Sequence, residues 1–255
     1  MRARAYRAVL FDLFDTLVRF DRERLPAVPV NGRVVHSTVG QLHPILAAWA
    51  PEVTLEALYG ALLESWQEAE RRRAIDHREV AAAERFACLL RSLSLDPAAC
   101  PREILQQLLE AHRQGLSRAA EFPASHGPLL TELARRYRLA VVSNFDYTPT
   151  AVGILEATGV AGLFEAVVVS DAVGWRKPAP AIFEVALARL RVPAAEALFV
   201  GDRADIDVLG AQRIGMHAAW LNRDGGGLPS GVAPPEFEIR DLGELRGILG
   251  GPGRI

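Results

Sequence analysis

Lysine is almost absent from this sequence. Of its 255 residues 29 are basic, and all but one of these are arginine, so that Lys177 is the single lysine. The formal net charge is −2, and half of the residues are hydrophobic. A general nucleic-acid-binding protein carries an excess of positive charge on one face. The near-neutral balance therefore predicts no nucleic-acid partner, and the apolar half is enough for a sizeable core.

Cysteine and long apolar runs are also scarce. Cys88 and Cys100 are the two cysteines, too few for the disulfide framework of a secreted protein, so we expect a cytoplasmic location. The chain starts with a basic segment, Met1–Arg7, but Asp12 and Asp15 interrupt the apolar residues behind it. Neither a signal peptide nor a membrane span fits that pattern, and no membrane partner is predicted.

Short apolar segments are present instead, and they alternate with helical patterns from about Pro128 onward. A run that is apolar on both sides, such as Ala8–Phe14, is typical of a buried parallel strand. The other expected strands are Leu139–Val142, Ala166–Val169, Ala197–Val200 and His217–Leu221, and the expected helices are Leu129–Arg136, Thr150–Thr158, Ala179–Arg189 and Ala204–Ile214. This alternation predicts an α/β fold, with a Rossmann-like parallel sheet covered on both faces.

The segment between the first strand and this alternating region has a different character. It contains a hairpin signal at Asn31-Gly32, and then helical patterns that begin behind Thr54 and near residues 78 and 101. We therefore predict a core domain of residues 1–19 and 120–255, and a mostly helical domain of residues 20–119 inserted after the first strand. Active sites in such sheets lie at the carboxyl ends of the strands, so the insert would sit over the site as a cap.

Four predicted strands are followed by residues suited to phosphoryl chemistry. Asp12 follows the first strand, Ser143-Asn144 the second, and Lys177 lies in the segment after the third. Asp202 follows the fourth strand, with Asp207 five residues beyond it. Carboxylates, a hydroxyl, an amide and an ammonium at one edge of a sheet are the parts of a metal-assisted phosphoryl site.

These residues resemble the motifs of the haloacid dehalogenase superfamily, in the subgroup whose helical cap is inserted after the first motif. The similar segments are Phe11–Leu17 (FDLFDTL), Val142–Asn144 (VSN), Lys177–Pro180 (KPAP) and Val200–Asp207 (VGDRADID), followed by Gly210-Ala211 and Gly215-Met216. One such motif would be weak evidence, but four in the right order on the right elements are specific. The resemblance covers the whole α/β portion.

The resemblance implies a role for each of these residues. Asp12 would be the nucleophile that attacks phosphorus and forms an aspartyl-phosphate. Ser143 and Asn144 would bind the phosphoryl group of a small phosphorylated substrate, and Lys177 would place a positive charge beside it. The implied ligands of a Mg²⁺ cofactor are oxygen atoms of Asp12, Phe14 (its backbone carbonyl), Asp202 and Asp207.

Phe14 departs from the pattern of the family. Members that act as phosphatases have an aspartate two residues after the nucleophile, which protonates the leaving oxygen and later deprotonates water. The aromatic ring of Phe14 cannot transfer protons. Asp15 is one position further, on the other side of an extended chain, so we do not expect it to substitute.

Three interpretations stay open. The first is a Mg²⁺-dependent phosphatase that favours good leaving groups or takes another acid from the cap. The second is a 2-haloacid dehalogenase, in which Asp12 attacks carbon without a metal; such members have an aromatic residue at the position of Phe14, but a serine-rich pattern in place of Gly201-Asp202. The third is a binding protein on the hydrolase fold with little catalysis. The carboxylates of the motifs favour the first interpretation, and we expect the protein to be a hydrolase.

The remaining polar residues receive a structural interpretation. The six histidines show no metal-ligand spacing, and we predict that Arg71–Arg73 and Asp205 are solvated helix residues.

The presence of a single lysine, Lys177, indicates a site that accepts a compact ammonium but not a planar guanidinium. Residues 20–119 contain no lysine, which excludes the Schiff-base chemistry of family members that cleave carbon–phosphorus bonds. The sequence predicts no oligomeric state.

Overall fold

The structure, a computed structural model, describes residues 6–249 and divides them into two compact units. The core unit comprises residues 6–19, 122–145 and 155–249, and the insert unit comprises residues 20–121 and 146–154. The predicted insert did not include residues 146–154, which lie far from the rest of that unit in sequence. That the two units are a core domain and a cap stays a prediction.

The helices and strands have the following bounds. The strands are β1 (Ala8–Phe11), β2 (Arg19–Phe20), β3 (Ala27–Val30), β4 (Arg33–His36), β5 (Ala120–Glu121), β6 (Arg138–Ser143), β7 (Phe164–Val169), β8 (Ala197–Gly201), β9 (His217–Leu221) and β10 (Phe237–Ile239). The α-helices are α1 (Val39–Ala47), α2 (Leu55–Asp76), α3 (Ala82–Ser92), α4 (Arg102–Ala119), α5 (His126–Ala134), α6 (Thr148–Ala157), α7 (Ser170–Val173), α8 (Pro180–Leu190), α9 (Leu209–Arg213) and α10 (Leu245–Leu249). Shorter elements are a π-helical turn, Ala204–Val208, and 3₁₀ turns at Arg22–Arg24, Ala161–Leu163, Ala194–Glu196 and Leu242–Glu244.

Six strands of the core unit form one sheet in the order β10-β9-β8-β1-β6-β7. The five pairings between them are all parallel, which confirms the predicted α/β fold. Strand β1 lies inside the sheet, and all four of its residues are fully buried. Burial on both faces explains why the strand is apolar throughout rather than alternating.

Close packing beside the sheet fixes the segment that carries Lys177. Phe183 of α8 meets Phe199 of β8 edge to face, with ring centroids 5.0 Å apart. Both rings are buried, and each contributes about 2–3 kcal/mol by leaving water. A Cβ on Gly210 of α9 would collide with the Phe183 ring and press on the backbone of Pro178. Glycine at 210 therefore allows α9 to approach α8 and the Lys177–Pro178 segment.

The insert unit contains the β3–β4 hairpin and helices α1 to α4. Asn31 and Gly32 have φ of 49° and 72°, the left-handed conformation that a two-residue type I′ turn requires. As predicted, Thr54 caps α2, and its hydroxyl accepts a hydrogen bond from the N–H of Ala57 at 3.1 Å. Helix α1 was not predicted, because it contains Pro44, a residue that removes a backbone donor and normally ends a helix.

Elements of the core unit also differ in detail from the predictions. Strand β1 ends at Phe11, three residues before the end of the predicted apolar run. The helix predicted over Ala204–Ile214 begins with the π-helical turn and continues as α9. Strand β10 and helix α10 were not predicted, since three and five residues are too short to show a clear period.

None of the helices in the described part of the chain is long and apolar enough to cross a membrane. Cys88 and Cys100 are both free thiols. The cytoplasmic location stays a prediction.

A buried ionic network lies inside the insert unit. Arg73 is 7% exposed, and it donates to Glu79 at 2.9 Å, to Glu70 at 2.7 Å and to the carbonyl of Val80 at 2.9 Å. The prediction that Arg71–Arg73 is solvated is therefore wrong for Arg73. Two carboxylates and a carbonyl replace the water around its guanidinium, which makes burial of the charge tolerable.

Arg85 extends this network to His112. Its Nε donates to Asp146 at 2.7 Å, and a terminal nitrogen lies 3.0 Å from Nε2 of His112. The other ring nitrogen of His112 lies 2.7 Å from the hydroxyl of Thr38. Burial, together with the charge of Arg85, lowers the pKa of His112 to about 3. The ring is therefore neutral at pH 7.

We expect the protein to lose stability in mild acid because of His112. An unfolded histidine has a pKa of about 6.5, so below that pH the unfolded chain binds a proton that the folded ring does not. The contribution of His112 to the free energy of unfolding is complete above pH 6.5. It decreases by up to about 1.4 kcal/mol per pH unit as the pH falls toward the folded pKa of about 3. Urea unfolding at pH 7 and pH 5 measures the decrease.

Two variants test whether His112 causes this loss of stability in acid. His112→Gln should lose the extra acid sensitivity, whereas the variant of the exposed His36, His36→Gln, should keep it. An equal decrease in the wild-type protein and both variants would contradict the role of His112.

Candidate active site

The register of the sheet brings the predicted strand ends to one edge. Phe11 of β1 is level with Val141 of β6 and Val200 of β8. The N–H of Asp12 continues the ladder and donates to the carbonyl of Val200 at 2.9 Å. Asp12 therefore leaves the sheet at the same level as the ends of its two neighbouring strands.

The ammonium of Lys177 joins these strand ends. Its Nζ lies 2.5 Å from Asp12 Oδ1 and 2.8 Å from Asp207 Oδ1, and it donates to the carbonyl of Val142 at 2.8 Å. The three partners match the three N–H bonds of an ammonium. The Lys177 side chain is 1% exposed, and its Nζ lies 5.2 Å from the centroid of the Phe199 ring. These ion pairs are therefore desolvated, and removing either partner would leave an uncompensated buried charge.

Asn144 holds the backbone of Lys177, a role that the sequence did not predict. Its Nδ2 donates to the Lys177 carbonyl at 2.9 Å, and the Lys177 N–H donates to its Oδ1 at 2.7 Å. Both ends of the amide are thus engaged with one residue. An asparagine after a strand is a signal for backbone contacts of this kind, but the distant partner is not visible in the sequence.

Asp207 reaches back from the π-helical turn to the end of β8. Its Oδ2 accepts a hydrogen bond from the N–H of Arg203 at 3.1 Å. A Cβ on Gly201 would overlap the Asp207 carboxylate, so the glycine before Asp202 is needed to make room for it. π-Helical turns are rare and often occur at functional sites, where they redirect a side chain.

Asp202 is held by residues of two neighbouring segments. The indole N–H of Trp220, on β9, donates to its backbone carbonyl at 2.8 Å. The hydroxyl of Thr16, in the loop after β1, donates to Oδ1 at 3.4 Å. The Asp202 carboxylate is therefore oriented toward the loop that also carries Asp12.

Burial changes the proton affinities of these groups. Burial raises the pKa of Asp12 to about 7; Lys177 opposes the shift, whereas Asp207 and Asp202 add to it. Burial and the charge of Asp207 raise the pKa of Asp202 to about 6. Burial lowers the pKa of Lys177, but Asp12 and Asp207 raise it more, so the ammonium keeps its proton. One ammonium is not enough to balance the clustered carboxylates.

A cavity of about 220 Å³ opens onto these groups. It is lined by Asp12, Phe14, Asp15, Asn144, Arg176, Lys177, Asp202, Arg203, Ile206 and Asp207. Ser143 is not part of this lining: it is fully buried at the end of β6, and its Oγ has no hydrogen-bond partner among residues 6–249. The sequence did not predict Arg176, Arg203 and Ile206 as site residues. Arg176 lies next to the Lys177–Pro180 motif, and Arg203 and Ile206 lie inside the Val200–Asp207 motif at positions to which the resemblance gives no role.

Phe14 places an apolar ring in the wall of the cavity. The ring stacks on Phe145, with centroids 4.9 Å apart and an interplanar angle of 25°. The next residue, Asp15, has φ 56°, which is uncommon for a residue other than glycine. The guanidinium of Arg223 donates to the backbone carbonyls of Asp15 and Thr16. Packing and these hydrogen bonds fix the loop that follows the nucleophile position.

Asp12, Asp202 and Asp207 fit a divalent cation. Each offers a carboxylate oxygen, and these oxygens lie within 4.8 Å of one another. Oxygen ligands at about 2.1 Å from one Mg²⁺ lie up to about 4.2 Å apart, so the cluster is close to the size of an ion site. When all three carboxylates are ionised, they and the Lys177 ammonium carry a formal net charge of −2, which a divalent cation would balance. The contribution of the Phe14 carbonyl stays a prediction.

A family model matches the part of the chain that carries this site. The model describes haloacid dehalogenase-like hydrolases and matches residues 6–215. The chain belongs to this family. Membership confirms the resemblance that the sequence motifs predicted, and it confirms that the fold is that of a hydrolase.

Relatives and solved structures of the haloacid dehalogenase-like family include both phosphatases and dehalogenases. A Pyrococcus abyssi protein named glyceraldehyde 3-phosphate phosphatase is 32% identical over 53% of this chain and 56% of its own length. The chain spans about half the length of this and two other curated relatives.

Two solved structures are similar over nearly the whole chain. One is a HAD phosphatase from Thermococcus onnurineus, 27% identical with a TM-score of 0.62, matched over 96% of this chain and 98% of its own. The other is a 2-haloacid dehalogenase from Pseudomonas syringae, 25% identical with a TM-score of 0.65, matched over the same shares of both chains. Since both reaction types share the fold, the reaction has to be argued from the site.

We expect removal of the Lys177 ammonium to destabilise the protein through the partners it leaves behind. Lys177→Met leaves Asp12 and Asp207 without a counter-charge, and breaking a buried pair in this way lowers the free energy of unfolding by about 3–5 kcal/mol. Adding Asp12→Asn removes one of the two uncompensated charges. The double variant should therefore be more stable than Lys177→Met alone.

Urea unfolding in EDTA of the wild-type protein, both single variants and the double variant measures this coupling. Strictly additive losses of stability would contradict a direct interaction between Lys177 and Asp12.

Proposed function

We propose that the protein is a Mg²⁺-dependent phosphatase, which hydrolyses a small phosphorylated metabolite through an aspartyl-phosphate on Asp12. The observation that carries this proposal is the cluster of Asp12, Asp202 and Asp207 beside Lys177, whose net charge of −2 suits a divalent cation. The phosphatase names of the Pyrococcus abyssi and Thermococcus onnurineus proteins agree with it.

Each residue of the site has a defined task in this reaction. Mg²⁺, when bound, would screen the charge between the carboxylates and the incoming phosphate. Lys177 holds Asp12 through Oδ1 and favours its ionised form, the form that attacks phosphorus. Asn144 keeps Lys177 in place through the two hydrogen bonds to its backbone. The Oγ of Ser143 has no hydrogen-bond partner among residues 6–249, but Ser143 does not line the cavity, so its contact with a phosphoryl oxygen stays a prediction.

The cavity favours a small, anionic substrate. Its volume is about 220 Å³, and its lining contains two arginines, Arg176 and Arg203, of which Arg203 is paired with Asp205. Positive side chains in a narrow cavity attract phosphates. Because Phe14 cannot protonate a leaving oxygen, the enzyme should prefer substrates whose leaving group is stable as an anion.

A 2-haloacid dehalogenase is the second candidate, and Phe14 is the observation that favours it. A halide leaves without a proton, so an apolar ring beside the nucleophile would be no disadvantage. The similar Pseudomonas syringae structure carries that name. Asp202 argues against it, because a half-buried carboxylate near Asp12 would repel a carboxylate substrate unless a cation balanced it.

The dependence on Mg²⁺ separates the two candidates. We expect p-nitrophenyl phosphate to be hydrolysed with Mg²⁺ and not with EDTA, because the uncompensated carboxylates would repel the phosphate. Asp12→Asn should lower the rate by about 10³-fold or more, since it removes the nucleophile. The measurement is release of p-nitrophenol under saturating Mg²⁺ and under EDTA.

Asp205→Asn is the matched control for Asp12→Asn. Asp205 does not line the cavity, and its carboxylate pairs with Arg203 at 2.9 Å, so this variant should keep most of the activity. Chloride release from 2-chloropropionate that is insensitive to EDTA, without phosphate release, would overturn the phosphatase in favour of the dehalogenase.

A further inference from the structure

We propose that an acyl phosphate converts this protein into a long-lived phosphorylated form on Asp12. Transfer of the phosphoryl group from an acyl phosphate to Asp12 needs no proton transfer. Hydrolysis of the resulting aspartyl-phosphate needs a base, and the cavity lacks one. This inference rests on the proposed function. It adds a substrate class, acyl phosphates, and identifies hydrolysis of the phosphorylated protein as the slow step.

The lining of the cavity offers few groups that can carry a proton at neutral pH. Phe14 and Ile206 are apolar, and Asn144 does not ionise. The guanidinium groups of Arg176 and Arg203 are hydrogen-bond donors and have no acceptor atom. None of these five side chains can accept a proton from water.

The charged groups at the base of the cavity are already engaged. Lys177 directs its ammonium to Asp12, Asp207 and the carbonyl of Val142. Asp202 belongs with Asp12 and Asp207 to the cluster that suits a cation. A carboxylate that binds a cation is a poor base, because the cation stabilises its ionised form.

Asp15 is the remaining carboxylate of the lining, and it is placed for a different contact. Its charge acts on Asp202, whereas the charges that chiefly act on Asp12 are those of Lys177, Asp207 and Asp202. Its backbone is held in a left-handed turn, and its carbonyl accepts from Arg223. The charge of Asp15 therefore bears on Asp202, a member of the cation cluster.

The ring of Phe14 also keeps its place in the wall. It stacks on Phe145 at a centroid distance of 4.9 Å, and aromatic pairs of this geometry are stabilised beyond the area they bury. The position beside the nucleophile is therefore occupied by a packed apolar surface, which neither binds nor orients a water molecule.

The first half of the reaction needs no proton when the donor is an acyl phosphate. An oxygen of Asp12 forms a bond to phosphorus, and the bond from phosphorus to the acyl oxygen breaks. The electron pair leaves with the carboxylate, whose conjugate acid has a pKa of about 4. An alkyl phosphate would instead release an alkoxide, which is about as basic as hydroxide, the anion of water with its pKa of about 15.7. Alkyl phosphates are therefore slow in this step.

The second half does need a proton acceptor. The oxygen of water forms a bond to phosphorus, the bond to Asp12 breaks, and Asp12 recovers its electron pair. The attacking water must lose one proton to the solvent or to the phosphate, since no side chain at the position of Phe14 can take it. The missing base slows this step by about 10²–10⁴-fold, so the phosphorylated protein accumulates.

Labelling with acetyl phosphate tests the inference. The protein would be mixed with Mg²⁺ and acetyl phosphate labelled with ³²P in the phosphoryl group, quenched in acid at successive times, and counted for bound and released label. We expect an initial burst close to one label per chain, followed by slow release. Labelling should disappear in EDTA and in Asp12→Asn, and β-glycerophosphate should give no burst.

Substitutions at Phe14 separate proton transfer from the size of the side chain. Phe14→Asp should speed decay of the labelled protein by about 100-fold or more and abolish the burst, because the new carboxylate can accept a proton. Phe14→Leu is the matched control, and it should keep the burst because leucine is equally unable to carry protons. If Phe14→Leu abolished the burst as Phe14→Asp does, the inference would be overturned.

Other outcomes distinguish this inference from the proposed function. Steady release of phosphate with no burst and no labelled protein would overturn the inference and leave the phosphatase intact. Slower decay of the label in Asp15→Asn would overturn it as well, since Asp15 would then be the base. If neither acetyl phosphate nor p-nitrophenyl phosphate gave label or phosphate, the proposed function would fail and the inference with it.

Discussion

The buried ammonium of Lys177 is the interaction on which the site depends. It pairs with Asp12, which follows β1, and with Asp207, which lies beyond β8. Its backbone is held by Asn144, which follows β6. One residue thus ties together segments that lie far apart in sequence and meet only because the sheet is parallel. A bulky, planar guanidinium could not take the same three partners in a fully buried space, which explains a lysine in a chain whose other basic residues are arginine.

The same interaction leaves the site short of positive charge. Asp12 and Asp202 have pKa values raised to about 7 and about 6, because burial and neighbouring carboxylates oppose their ionisation. A divalent cation would relieve this repulsion and bring the nucleophile to its reactive form. Cation binding and the ionisation of Asp12 are therefore coupled. The apolar Phe14 then limits which proton transfers can follow.

The sequence predicted the parts of the molecule that repeat a local pattern. Local sequence patterns were enough to predict the parallel strands, the helix N-cap at Thr54 and the positions of the site residues at strand ends. Contacts between distant segments were not visible: Arg73 looks like one of three solvated arginines until Glu79 and Glu70 are seen around it. Asn144 was predicted to contact phosphate, and its pairing with the Lys177 backbone depends on a tertiary contact that no local pattern encodes.

Calorimetric titration with Mg²⁺, without any substrate, tests the central claim that the three clustered carboxylates form a cation site. One Mg²⁺ ion should bind per chain, and binding should be lost in Asp202→Asn but kept in Asp205→Asn, because Asp205 pairs with Arg203 and does not line the cavity. A wild-type protein that binds no Mg²⁺, or an Asp202→Asn variant that binds it as tightly as the wild type, would contradict the account.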